Sequence, residues 1–477
     1  MRLVILLLLT TATALNAQTL PPLRMGTQQV EIVYASAQEA ANAKLSFASV
    51  YDNRDWAFSA RWDDTQANST NMHDHMVKYG LKGTFYLTQP DEKRKLGVEW
   101  AKALQAGGCS IGGHSVTHPN FATLKPAEIY WQVLANKIEW EDLLDTPLNS
   151  FAFAYGQFKS PDNPVILQAS SEALQRAGYL HSVYSDFEKS NPYLGPGEIS
   201  TGNQIVPGDK VVEAEAFQGN LDKIVTKWPE AYAKTSRCIF LGVHAWQAGE
   251  EWTKLDAVFE ALAHKPNWWY CSQNEWAAYA RQVVQSRLEA TGEGATRRYV
   301  VTRPLAGEVG SAVPLTCVVS GATVQSVKVD GQTLAADKRG DLVVLNLPPT
   351  GALPLKIGHL DSPAEGVQGE CADFPGLKLS LVPDPAAGKL TLACTAPAEA
   401  ALTNVNVTFR LPLAYAPGVF TRDFAPLEAG KTQTVELALP AARPEPVWAE
   451  GQQYFVAQVD FTTPGGPGRV WVTRQMP

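Results

Sequence analysis

Between residues 45 and 288 the apolar positions follow two alternating patterns. Short, unbroken apolar and aromatic runs predict strands buried on both faces: Trp56–Ala60, Gly83–Leu87, Phe151–Ala154, Leu180–Tyr184, Cys238–Val243 and Trp268–Cys271. Between them, apolar residues recur at helical spacing, which predicts helices over Thr70–Tyr79, Pro126–Leu143, Ser170–Ala177, Lys254–Ala263 and Glu275–Arg287. Gly80 and Gly178 follow two of these segments and mark their ends. Strands alternating with helices imply βαβ units, a mainly parallel sheet and an α/β fold class. In such sheets, functional side chains gather at the C-terminal strand ends. After Thr291-Gly292-Glu293-Gly294 the helical period stops, and strand-sized runs such as Arg298–Thr302, Leu342–Leu347, Lys389–Cys394 and Tyr454–Phe461 take over. Turn signals at Asp330-Gly331, Pro348-Pro349 and Gly465-Gly466 separate them, predicting two all-β sandwiches, over 295–368 and 370–477.

A length of 477 residues fits about three such units. The net charge of −8, with no Lys/Arg tract of five or more, excludes nucleic acid and anionic lipid surfaces as partners. Residues 1–17 read as a signal peptide: Arg2, the apolar run Leu3–Leu9, then small residues with cleavage after Ala14 or Ala17. A secreted or periplasmic location is therefore expected, with 18–290 as the α/β unit carrying an N-terminal extension. No later apolar run is long enough to span a bilayer, so no transmembrane segment is expected. The six cysteines show no CxxC spacing and read as buried small hydrophobes, with Cys238–Cys271 and Cys371–Cys394 bridges left open.

Three local features fall at the ends of predicted strands or apolar runs: Trp62-Asp63-Asp64, His114-Ser115-Val116-Thr117-His118, and His244. Singly, each has an ordinary reading. Paired aspartates cap turns, and two histidines four apart occur by chance; His73 and His75 read as solvated. Together they make a set. Two imidazoles and one carboxylate hold a metal while leaving a position for water. A second carboxylate can accept a proton, and a further histidine can donate one.

The order and spacing of these features resemble the polysaccharide deacetylases of carbohydrate esterase family 4, which have the nodulation-deacetylase type of fold. Ser59–Asp64 is similar to that family's first motif, and Gly112–Asn120 to its H-[ST]-x-x-H-P metal motif. Phe151–Gly156 is similar to a motif that usually reads FRPPYG, and Leu241–His244 to L-x-I-H. Supporting matches lie at Tyr79–Tyr86 and Trp268–Trp276.

The resemblance implies a distorted (β/α) barrel of about seven strands ahead of the two sandwiches. It implies a divalent metal held by Asp64, His114 and His118, zinc first, with cobalt, manganese or nickel as alternatives. Asp63 would be the base, His244 the acid, and the backbone N–H of Tyr155 an oxyanion donor. The implied activity is hydrolysis of the acetyl group of N-acetylhexosamines (GlcNAc or GalNAc type) in a glycan. The alternatives are an O-acetyl carbohydrate esterase and a catalytically silent glycan-binding relative. Trp62 and Trp246 are candidates for stacking on sugar faces. The chain also departs from the family pattern: Ala152 stands where the family has the arginine that orients the base, and Thr65 where it has glycine. Arg61 is the candidate replacement for that arginine. Asp186 is the candidate for the element that tunes the acid histidine.

Overall fold

The computed structural model describes residues 23–66, 68–90, 97–183, 203–205, 237–242, 244–248, 252–353, 355–363 and 367–476. The apolar runs of the first half assemble into one eight-stranded parallel sheet. Its order is His181–Ser182, Ser150–Phe151, Ser110–Gly113, Gly83–Leu87, Trp56–Asp63, Cys238–Leu241, Asn203–Ile205, with Trp268–Tyr270 also pairing with the central strand. Every residue of the central Trp56–Asp63 strand is buried, as expected of a parallel strand covered on both sides.

Side chains alternate along a strand, so Arg61 and Asp63 share one side and Trp62 takes the other. Trp62 points its indole N–H at the Met76 sulfur of the Ser69–Lys78 helix, 2.8 Å away. Only 1% exposed, Trp62 is a core residue rather than a sugar platform. The strand expected over Phe151–Ala154 stops at Phe151, because Ala154–Gly156 turns into a short 3₁₀ segment. Pro164–Ala177 is longer than expected: Asn163 caps it, Pro164 starts it, and Gly178 closes it at φ 80°. The Val98–Ala106 helix is an addition that the periodicity did not mark.

The all-β sheets follow, and two of their strands come from outside the expected boundaries. Met25–Tyr34 lies antiparallel between Thr296–Pro304 and Val324–Val329, and Lys44–Phe47 pairs with Leu315–Ser320. The N-terminal extension therefore joins the first group of β-sheets and not the parallel sheet. Lys356–Asp361 runs parallel to Gly466–Met476, within the second group.

One continuous core links the parallel sheet, its helices and the first β-sheets, while Leu379, Leu392, Val407 and Val459 belong to a separate core in the second group. The Pro126–Leu144 helix joins that group to the parallel sheet. Its buried Glu141 accepts hydrogen bonds from Trp471 Nε1–H (3.0 Å) and Leu148 N–H (2.8 Å) and pairs with Lys137 at 2.7 Å. All six cysteines are buried and unbridged. Among the described residues no helix is long and apolar enough to cross a membrane.

Candidate functional site

Asp63 ends the central strand, and the next residue turns out of it. Asp64 adopts a left-handed backbone, φ 72°, which breaks the alternation and lets two successive carboxylates serve one site. His244 is held alongside by a parallel backbone bridge to Asp63. His114 follows the Ser110–Gly113 strand. Ser115 (φ 70°), His118 (φ 58°) and Tyr155 (φ 56°) are also left-handed, so four strained non-glycine residues lie on or beside the site. Such conformations cost about 1–3 kcal/mol each and persist only where surrounding bonds enforce them.

Two side-chain amides on the Pro126–Leu144 helix hold the loop that contains Ser115. Fully buried Asn136 accepts His114 N–H at 3.0 Å and donates to Ser115 O at 2.9 Å and Leu87 O at 3.2 Å. Gln132 accepts Val116 N–H (2.8 Å) and Thr117 N–H (3.0 Å). These amides are four residues apart on one helical face. The sequence reading passed over them, although two amides at that spacing on a largely apolar face were a visible signal.

The imidazole arrangement is chemically informative. His114 Nδ1 lies 2.7 Å from Ala152 O, an acceptor only, so Nδ1 carries the proton. Its Nε2 then faces Asp64 Oδ1 at 3.1 Å, and His118 Nε2 approaches the same oxygen at 3.0 Å. With His114 neutral, a nitrogen lone pair would point at a carboxylate, which is repulsive unless a cation lies between them. A proton or a metal ion answers that need. The donor atoms of Asp64, His114 and His118 lie within 4.8 Å of one another, and this donor set fits a divalent metal ion.

Burial would raise the Asp64 carboxyl, but hydrogen bonds and charges from His114 and His118 outweigh it and hold Asp64 well below the usual carboxylate range. Burial would lower His114, but the Asp64 bond and the Asp63 and Asp64 charges push it above an ordinary histidine. His244, 3.7 Å from Asp64 Oδ2, is lowered, because burial outweighs the two aspartates.

The carboxylate of Asp63 is held separately. Arg61 Nε donates to Oδ1 at 2.8 Å and Nη2 to Oδ2, a two-pronged contact between two buried groups. Ala152 is a buried apolar neighbour of Tyr86, whose ring lies 5.9 Å from the Arg61 guanidinium.

Two exposed aromatics flank the centre. Tyr155, 67% exposed, packs edge-on against His118 at 4.5 Å, and Trp246, 50% exposed, stacks on His244 at 5.2 Å. His75 is not simply solvated: it stacks on Trp252 and bonds to Asp256 at 2.6 Å. Asp186 and the signal segment lie outside the described residues.

Residues 53–174 match the sequence model of the polysaccharide deacetylase family. No curated protein matches in sequence. Solved structures similar to this chain include the Xyl-CE4 domain of a multidomain xylanase from the hindgut metagenome of Trinervitermes trinervoides, at 13% identity and TM-score 0.32, covering 46% of this chain and 89% of that one. A Bacillus cereus polysaccharide deacetylase matches at 14% identity and TM-score 0.30, covering 46% and 91%. A Bacillus anthracis CE4 family pseudoenzyme matches at 17% identity and TM-score 0.29, covering 46% and 63%.

Proposed function

Starting from a divergent member of the polysaccharide deacetylase family, we propose that this protein is an exported, metal-dependent deacetylase acting on N-acetylhexosamine units, of GlcNAc or GalNAc type, in a glycan. The observation that carries this reading is the convergence of Asp64, His114 and His118 on one point, beside an arginine-held Asp63 and within reach of His244. The parallel sheet is read as an open, distorted barrel, and the β-sheets that follow it as sandwich modules.

Asp64 Oδ1, His114 Nε2 and His118 Nε2 would hold a divalent ion, zinc first, whose Lewis acidity activates water and polarises the acetyl carbonyl. Asp63 takes the proton of the attacking water. Arg61 occupies both Asp63 oxygens and fixes their direction, the task for which Ala152 has no side chain. The backbone N–H of Tyr155 donates to the carbonyl oxygen as negative charge develops. His244, on the Oδ2 side of Asp64, passes a proton to the departing amine. Trp246 and the Tyr155 ring offer apolar walls to the sugar. Asp186 stays the candidate for tuning His244.

A silent relative would have no reason to keep base, acid and three ligands together, which favours the enzyme. The test is acetate release from matched N-acetylated and O-acetylated glycans after zinc is added back to stripped protein. N-acetyl release at several times the O-acetyl rate is expected. Release from esters alone would reassign the protein as an O-acetyl esterase.

A further inference from the structure

Beyond its two histidine contacts, Asp64 has a third polar contact, from a residue that lies past the aspartate pair. Gln66 Nε2 lies 3.0 Å from Asp64 Oδ2. The orientation is chemically fixed, because only the NH₂ end of an amide can donate to a carboxylate. The turn that presents Gln66 is itself anchored. Asp64 is left-handed, the buried Thr65 hydroxyl bonds Thr88 Oγ1 at 3.0 Å, and Gln66 O accepts Ser69 N–H at 3.0 Å as the next helix begins.

Oδ1 faces both histidine nitrogens at 3.0–3.1 Å, so the two oxygens have separate partners. We propose that Gln66 is a positioning residue that commits Asp64 Oδ2 to a neutral amide, leaving Oδ1 alone as the metal-facing oxygen. It does the same for the acid: His244 Nε2 is 3.7 Å from Oδ2, longer than the Gln66 contact, so the amide rather than His244 satisfies that oxygen. Arg61 reaches forward two residues to Asp63, and Gln66 reaches back two residues to Asp64. Each carboxylate of the pair is thereby oriented from its own short segment of chain.

This inference rests on the metal reading above and is tested by metal affinity rather than by turnover. Zinc dissociation constants are measured by chelator competition on full-length wild type, Gln66→Met and Gln66→Asn. Partners that orient a ligand are worth about ten- to a hundredfold in affinity. Gln66→Met, near in volume but without a donor, should weaken zinc binding about tenfold or more with an unchanged melting temperature. Gln66→Asn, which keeps a neutral amide donor, should lose clearly less affinity than Gln66→Met. A Gln66→Met constant within twofold of wild type overturns the inference while leaving the metal reading intact. Absence of zinc binding in wild type removes the metal reading and this inference with it. Tight binding lost in Gln66→Met, in a protein that releases no acetate, supports the inference and overturns only the proposed activity.

Discussion

The Pro126–Leu144 helix borders two buried polar clusters, and they differ in kind. At one, Lys137, Glu141, Asp460, Arg469 and Trp471 all sit within regular helix or strand. Each carboxylate meets donors of opposite character: Glu141 meets Lys137, Trp471 N–H and Leu148 N–H, and Asp460 meets Arg469 at 2.7 Å. At the other, Asp64 Oδ1 is approached by two imidazole nitrogens, and left-handed residues hold the arrangement. Burial of charge is common to both. What distinguishes the second is that two imidazole nitrogens converge on a single carboxylate oxygen, and that backbone strain is accepted to keep them there. The first cluster is complete as it stands; the second calls for a cation.

The sharpest break in the comparison is chemical. On the proposed reading, in which Asp63 is the base and the metal is held by Asp64, His114 and His118, Asp63→Asn should lower kcat by about a hundredfold or more while zinc still binds. Retention of kcat would move Asp63 out of the chemistry. The Lys137–Glu141 cluster should respond the opposite way. Glu141→Gln leaves Lys137 and Arg469 buried beside a neutral group, at a cost of about 3 kcal/mol in unfolding free energy. Its kcat per folded molecule should stay within a few-fold of wild type. A stable but inactive Glu141→Gln protein would show that the two clusters are not functionally separate.

The third effect is milder and reads the site's protonation. His114 is held above the ordinary histidine range, so in the metal-free protein it keeps its proton to higher pH, and a metal must displace that proton. Zinc affinity should therefore be full above the raised pKa and fall as pH drops through it, on the order of tenfold per pH unit. A flat profile from pH 7.5 to 5.5 by chelator competition would contradict the assignment of His114 as a ligand.

Much of this was legible in the chain. The central strand, the helices flanking it and the order of the motifs follow from periodicity and turn residues, because parallel strands read as short apolar runs. The Arg61–Asp63 contact was foreseeable for the same reason, since residues two apart share a strand face. That alternation also placed Trp62 on the opposite face, and its reading as a sugar wall overlooked it. The Met25–Tyr34 strand shows Gln28, Val30, Ile32 and Tyr34 buried in alternation, so its existence was visible. Its partners were not, because strand pairing across some 270 residues leaves no local trace. Gln132 and Asn136 could be seen as two amides at helical spacing on a largely apolar face, but which backbone groups they meet, like the partner of Gln66, shows only once the chain is folded.

The most direct measurement is a zinc titration of chelator-stripped protein with acetate release from an N-acetylated glycan followed at each addition. The account predicts no release at the start, restoration that saturates at one equivalent in wild type, and none at any zinc level in His114→Ala. Acetate release from the stripped wild type at its full rate, or from metal-free His114→Ala, would contradict it.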